Sequence, residues 1–228
     1  MKTKKIILIG VIISVIVIII TYLILKKASL KNKNPKKILI VGDSQSAIKT
    51  ADGANVTFTY PNILKKTLEP QGYTIDVLAL GGMSTDWMLK NLPAQLQKKK
   101  YDRVYIYGGG NDSSNSSISL ENQTIPNIQK MVDMSNNSGA DVFVNLGYRI
   151  DNFADYNKMP LTAYVKDKKQ WIPLIERRKQ LQRLIPQRIK NAKFIPVYDL
   201  NGLTTDGIHP TAEGHKIVAQ VFLKSIKG

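Results

Sequence analysis

The 228-residue chain has no cysteine, which removes disulfide staples, thiolate metal sites and cysteine nucleophiles together. Histidine is nearly as scarce: only His209 and His215 are present, so an imidazole base has two candidates. Acids are few, 17 against 33 Lys and Arg, and none precedes Asp43. Residues 1–37 hold nine lysines and no acid, leaving 24 basic against 17 acidic residues in the remainder. The net charge of +16 therefore belongs largely to the amino-terminal stretch, and the rest is only about +7. Aromatics are 7% of the chain, and no aromatic platform or recognition motif accompanies the basic clusters, so a nucleic-acid partner is disfavoured.

What is present falls into three parts. Residues 6–25 are twenty without a charge, and as a helix they would rise about 30 Å, the thickness of a hydrocarbon core. They are expected to form one transmembrane helix, an uncleaved anchor, because Leu25-Lys26-Lys27-Ala28-Ser29 lacks a small-x-small cleavage pattern. Residues 26–37 form a basic tether suited to anionic lipid. A literal lysine count favours a cytoplasmic domain, but a signal-anchor with its short amino terminus inside is preferred, giving a single-pass protein with an extracytoplasmic domain. Residues 38–228 then make one domain, large enough to bury a core unaided.

In that domain apolar strands and amphipathic helices alternate. Strands are expected at 38–42, 75–80, 104–107, 142–146 and 194–197, with helices at about 60–69, 86–98, 121–135, 172–190 and 211–226. Such alternation implies an α/β fold: a three-layer α/β/α, doubly wound, parallel five-stranded sheet. The irregular piece from Tyr148 to Gln170 follows a strand's carboxyl end and reads equally well as a lid or a surface insertion. Lys98–Lys100, the set Lys166, Lys168 and Lys169, and the set Arg177, Arg178, Lys179 and Arg183 read as solvated faces, with attraction to an anionic surface as the sharper reading. Trp87 and Trp171 either border a site mouth or belong to the core.

Four short motifs lie beside strand ends or before the last helix: Gly42-Asp43-Ser44-Gln45-Ser46, Gly81-Gly82-Met83-Ser84-Thr85, Gly108-Gly109-Gly110-Asn111-Asp112 and Asp206-Gly207-Ile208-His209-Pro210. In a parallel sheet the first three converge on one edge. Acyl transfer by serine needs a nucleophile, a base, an acid to orient the base, and donors for the oxyanion. His209 has Asp206 three residues before it, within reach of one tight turn. His215, inside an amphipathic helix without such a partner, reads as a surface residue. The Asn111 amide and the backbone N–H groups of Gly82 and Ser44 are candidate oxyanion donors. Each motif alone is an ordinary turn or cap; the four in order argue otherwise. Asp43, Asp52, Asp112 and Asp199 have no His or Cys companions at ligand spacing and read as structural, so no metal is assigned. Asn111-Asp112-Ser113 is a glycosylation triplet, but a glycan there would destroy the oxyanion donor.

These blocks resemble those of the SGNH, or GDSL-type, serine hydrolase family, over residues 38–226. The resemblance implies a flavodoxin-like hydrolase fold with Ser44 as nucleophile, His209 as general base and Asp206 as its orienting partner. It implies an oxyanion hole of the Ser44 and Gly82 N–H groups with the Asn111 side chain, and no cofactor. Gln45 stands where leucine is common, a position without a chemical role. The Gly-x-Ser-x-Gly elbow of the α/β-hydrolases is missing. The expected activity is membrane-anchored ester hydrolysis through an acyl-enzyme, on an acetylated glycan or a lipid ester. The alternative is a catalytically inactive binding module on the same fold.

Overall fold

A computed structural model describes residues 19–21, 36–48, 57–149 and 165–227. The chain divides into a unit of residues 1–35 and a unit of residues 36–228. Of the first, only the helical residues 19–21 are described. The expected span at 6–25 otherwise lies outside the described residues, as do Asp52, most of the tether and most of the 148–170 segment. Among the described residues, no helix is long and apolar enough to cross a membrane.

The second unit is built on five parallel strands: β1 (Lys37–Gly42), β2 (Thr74–Ala79), β3 (Arg103–Tyr107), β4 (Asp141–Asn145) and β5 (Lys193–Ile195). Their order is β2-β1-β3-β4-β5. Helices α1 (Tyr60–Leu68), α2 (Thr85–Lys98), α3 (Gly110–Ser114), α4 (Ile125–Asn137), α5 (Trp171–Arg188) and α6 (Ala212–Lys227) complete it. The doubly wound expectation holds, with shifts at the ends. Pro196 has no N–H to donate, and β5 ends just before it. The helix expected from residue 121 begins as a π-type turn, Leu120–Thr124, and becomes regular from Ile125, where Pro126 suits a first turn.

Period-two alternation puts each strand's side chains on both faces. Ile38 and Ile40 of β1 join one core with Tyr60, Leu64 and Leu68 of α1 and Val218, Phe222 and Ile226 of α6. Leu39 and Val41 join the other with Met88 and Leu92 of α2 and Ile128, Met131 and Val132 of α4. These four β1 side chains are fully buried, each worth about 1.5–3 kcal/mol over exposure. Helix α5 serves both faces: Trp171, Leu174 and Ile175 enter the first core, Leu181, Leu184 and Ile185 the second. Its middle thus crosses the rim of the sheet. Because β1 is an inner strand and the strand order reverses between it and β3, the loops after β1, β2 and β3 share one crevice at the carboxyl edge.

Candidate active site

At the end of β1 the chain turns sharply. A side chain on Gly42 would collide with Ser46 and the Tyr107 carbonyl, so only glycine permits the close passage of β1 beside β3. Asp43 then closes the turn, its carbonyl accepting from Ser46 N–H at 3.0 Å and its Oδ1 from Gln45 N–H at 3.0 Å. Ser44 stands at the crest. The Ser46 hydroxyl meets the Tyr60 hydroxyl at 2.7 Å and fastens the turn to α1.

The imidazole arrives from the far edge of the sheet. After β5, Tyr198 bridges Tyr148 and Thr204 pairs with Pro210, which returns the chain to β1. Inside that loop Asp206 Oδ1 accepts from the N–H groups of Ile208 (2.9 Å) and His209 (2.7 Å). Its Oδ2 is 2.7 Å from His209 Nδ1, and His209 Nε2 is 3.0 Å from Ser44 Oγ. With Nδ1 protonated and donating to Asp206, Nε2 is the acceptor for the serine hydroxyl. Partial burial pushes the Asp206 pKa up, but hydrogen bonds from the His209 ring and the two N–H groups outweigh it and bring the value to about 2. The same Asp206 hydrogen bond raises the His209 pKa above its ordinary value, partly opposed by burial.

Gln45 is more than the spacer the sequence suggests. Its Nε2 donates to the Ile208 carbonyl at 2.9 Å, tying the serine turn directly to the histidine loop. Nothing local to residues 43–46 reveals this, because the acceptor lies 163 residues away.

The remaining two motifs meet beside Ser44. Gly82 sits at φ 77°, a conformation costly for residues with a Cβ. Asn111 Nδ2 donates to the Met83 carbonyl at 2.9 Å, which fixes the amide and leaves its second N–H unused by that bond. Asp112, fully buried, locks the two motifs together: it accepts from Thr85 N–H (Oδ2, 3.0 Å), from the Thr85 hydroxyl, and from the Thr124 hydroxyl at 3.1 Å. Its expected structural role is thereby specified.

Ser44, Gly82, Asn111 and His209 line one cavity of about 460 Å³, open to solvent. That volume suits a small-molecule site. Asp206 stands behind His209 rather than in the wall. Asp43 does line it, and burial pushes its pKa up, opposed by the Gln45 N–H and by the charge of Arg178. Among the described residues no cluster of three or more His, Cys, Asp or Glu forms a cation site.

Two expectations need correction. His215 is not a surface residue: it is 8% exposed, packs beside the Tyr60 ring and accepts the Tyr60 N–H on Nδ1 at 3.3 Å. It shares the buried face of α6 with Val218, Ala219, Phe222 and Ile226, a spacing of three, four and seven residues that would have disclosed it. Arg177 and Arg178 do not belong to a solvated face either. Arg177 donates to the carbonyls of Ser113 (2.9 Å), Asp112 (3.3 Å), Asn115 (3.0 Å) and Ile118 (2.7 Å). Arg178 is 6% exposed and lines the cavity. Both follow from the path of α5 over the rim of the sheet. Trp171 is fully buried core, and Trp87 packs against the second core rather than at the cavity.

A hydroxyl, an imidazole and a carboxylate in hydrogen-bonded series, at the carboxyl edge of a doubly wound sheet, form the arrangement of a serine hydrolase. The sequence agrees: residues 40–217 match the GDSL-like Lipase/Acylhydrolase family model, and the chain belongs to that family of esterase-type hydrolases. No curated protein matches it in sequence. Among solved structures it is similar to TesA (22% identity, covering 84% of this chain and 98% of that one, TM-score 0.60). It is also similar to a catalytic mutant of an acetylxylan esterase from Geobacillus stearothermophilus (18%, 86% and 96%, TM-score 0.65). A carbohydrate acetylesterase family member from Sinorhizobium meliloti gives 16%, 84% and 97%, with TM-score 0.63. At such identities the likeness is one of fold.

Proposed function

We propose that the protein hydrolyses short acyl esters of polar alcohols, O-acetylated carbohydrate foremost, through a Ser44 acyl-enzyme. The observation that carries the substrate preference is the wall of the cavity: of its lining residues only Leu174 and Ile208 are apolar, and the others are glycines or polar and charged groups. Leu174 and Ile208 offer an apolar place for an acetyl group but no run of apolar side chains to follow a long acyl chain, and a hydroxylated leaving group suits the polar residues around them. The names of two structural neighbours, an acetylxylan esterase and a carbohydrate acetylesterase, point the same way.

In this mechanism Ser44 Oγ attacks the ester carbonyl as His209 Nε2 takes its proton. The carbonyl oxygen becomes an oxyanion, for which the N–H groups of Ser44 and Gly82 and the Asn111 amide are the donors. Collapse expels the alcohol, protonated by His209, and leaves the acyl group on Ser44. Water, deprotonated by the same histidine, then attacks and releases the acid. Asp206 holds the Nδ1–H tautomer and stabilises the imidazolium. Residues 6–25 would tether the domain to a membrane, which their twenty uncharged residues support; a signal-anchor with its short amino terminus inside would place the domain on the extracytoplasmic side.

The test is hydrolysis of p-nitrophenyl acetate and palmitate, with fluorophosphonate labelling, by the intact chain and by Ser44→Ala. Acetate turnover that falls at least about 10³-fold in Ser44→Ala is expected, along with loss of labelling and a preference for the acetyl ester. Undiminished turnover, or a preference for palmitate, would overturn the proposal.

A further inference from the structure

Adjacent arginines on α5 have opposite environments. The Arg177 guanidinium is consumed by four backbone carbonyls, which is how a structural arginine satisfies its donors. Arg178, although only 6% exposed, has an Nε with no hydrogen-bond partner. Among the described residues no carboxylate lies within 4 Å of its guanidinium. The guanidinium, on the wall of a cavity open to solvent, is thus left for a group that enters that cavity.

Its surroundings show where that partner would lie. Arg178 faces the cavity that Ser44, Asn111 and His209 also line. Room for it is made by Gly110: a Cβ there would lie 3.0 Å from Arg178 Nη2, 3.3 Å from Nη1 and 3.0 Å from Asp43 Oδ2. Asp43 is a nearby carboxyl: its Oδ1 accepts the Gln45 N–H, and its Oδ2, beside the guanidinium across Gly110, feels the arginine's charge but makes no hydrogen bond or ion pair with it. The phenols of Tyr107, Tyr148 and Tyr198 also feel its charge, but burial raises their pKa values, Tyr198 to about 12, and keeps them neutral. The planar fork of a guanidinium is matched by two oxygens of one anionic group.

We infer that Arg178 is a specificity-determining residue, which binds a carboxylate or phosphate carried by the ester substrate, in the cavity beside Ser44 that Gly110 leaves open. The inference rests on the esterase reading and narrows it: the preferred ester belongs to an acidic sugar or to a phosphorylated polyol, not to a neutral glycan. It is a contact made in the ground state as well as during reaction, so its loss falls mainly on KM.

The intact chain, Arg178→Gln and Arg178→Lys are compared on matched acetyl esters: O-acetyl glucose against O-acetyl glucuronate, and acetyl glycerol against acetyl glycerol phosphate. The expected result is a kcat/KM at least about tenfold higher for the anionic member of one pair or both, collapsing toward parity in Arg178→Gln and partly retained in Arg178→Lys. Which pair responds identifies carboxylate or phosphate as the group. No preference in the intact chain, or an equal loss on both members in Arg178→Gln, overturns the inference. A binding arm stands apart from turnover: Ser44→Ala is titrated calorimetrically with glucuronate and with inorganic phosphate, alone and combined with Arg178→Gln. At least about tenfold weaker binding in the double variant is expected; equal binding in the two proteins, or none in either, overturns the inference. Failure of hydrolysis and of fluorophosphonate labelling in the intact chain would instead defeat the esterase reading, with the calorimetry still deciding the role of Arg178.

Discussion

The buried His215 makes acid stability depend on one side chain. Burial, with the neighbouring His209 charge adding to it, pushes the His215 pKa down to about 4 from an ordinary 6.5. The folded protein therefore resists a proton that the unfolded chain accepts, and this contribution to stability is complete above about pH 6.5 and lost as pH falls toward 4. Between about pH 7.5 and about pH 4.5 the loss comes to about 2.5 kcal/mol. His209 works in the opposite sense, because its raised pKa favours the folded state at low pH, and it must be held constant. His215→Gln does so, keeps an oxygen to accept the Tyr60 N–H, and cannot titrate. Urea unfolding of both proteins at the two pH values gives the answer: with a slope of about 2 kcal/mol/M, the wild-type midpoint should fall by roughly 1 M more than that of the variant. Parallel falls in the two proteins would show that His215 is protonated without penalty and refute its burial as a neutral ring.

Other outcomes follow from the same geometry. Asp206→Asn removes the chief cause of the raised His209 pKa and of the fixed tautomer, so kcat/KM for p-nitrophenyl acetate should drop about 10²–10⁴-fold. The acidic limb of its pH profile, where activity is lost as His209 gains a proton, should move to lower pH; an unmoved limb would separate Asp206 from the base. Asp112→Asn turns an acceptor of three donors into a group with one oxygen, and thermal unfolding should register a loss of about 2–4 kcal/mol, a Tm lower by roughly 5–15 °C. Gln45→Leu keeps the bulk of the side chain but leaves the Ile208 carbonyl without its partner. A stability loss near 1 kcal/mol with a larger proportional fall in kcat than rise in KM is expected, and unchanged kcat would mean the tie does not position His209.

Much of this was legible in the chain because it is local. The Ile38–Val41 run shows a strand buried on both faces, and Gly42 marks its end. Asp206 and His209 fall within one turn that their own backbone closes. The first three motifs follow strand ends, which puts them at one edge of any parallel sheet. Other features were hidden because they exist only after distant segments dock. Arg177 and Arg178 look like surface charge until α5 is known to cross the rim of the sheet, and Gln45 looks idle until the 206–210 loop lies beside it. His215 differs: its register with Val218 and Phe222 is visible in the sequence, and at this position periodicity outweighs polarity.

The hydrogen bond between Ser44 and His209 joins residues 165 apart in sequence. A chain emerging from the ribosome presents Ser44 well before His209, so this hydrogen-bonded pair, and any turnover that depends on it, must wait until the segment after β5 has been made. The same separation makes turnover a stricter gauge of integrity than helix content. Any loosening of the segment between β5 and α6 draws the imidazole away while the strands remain paired, and local opening of that kind needs far less free energy than global unfolding.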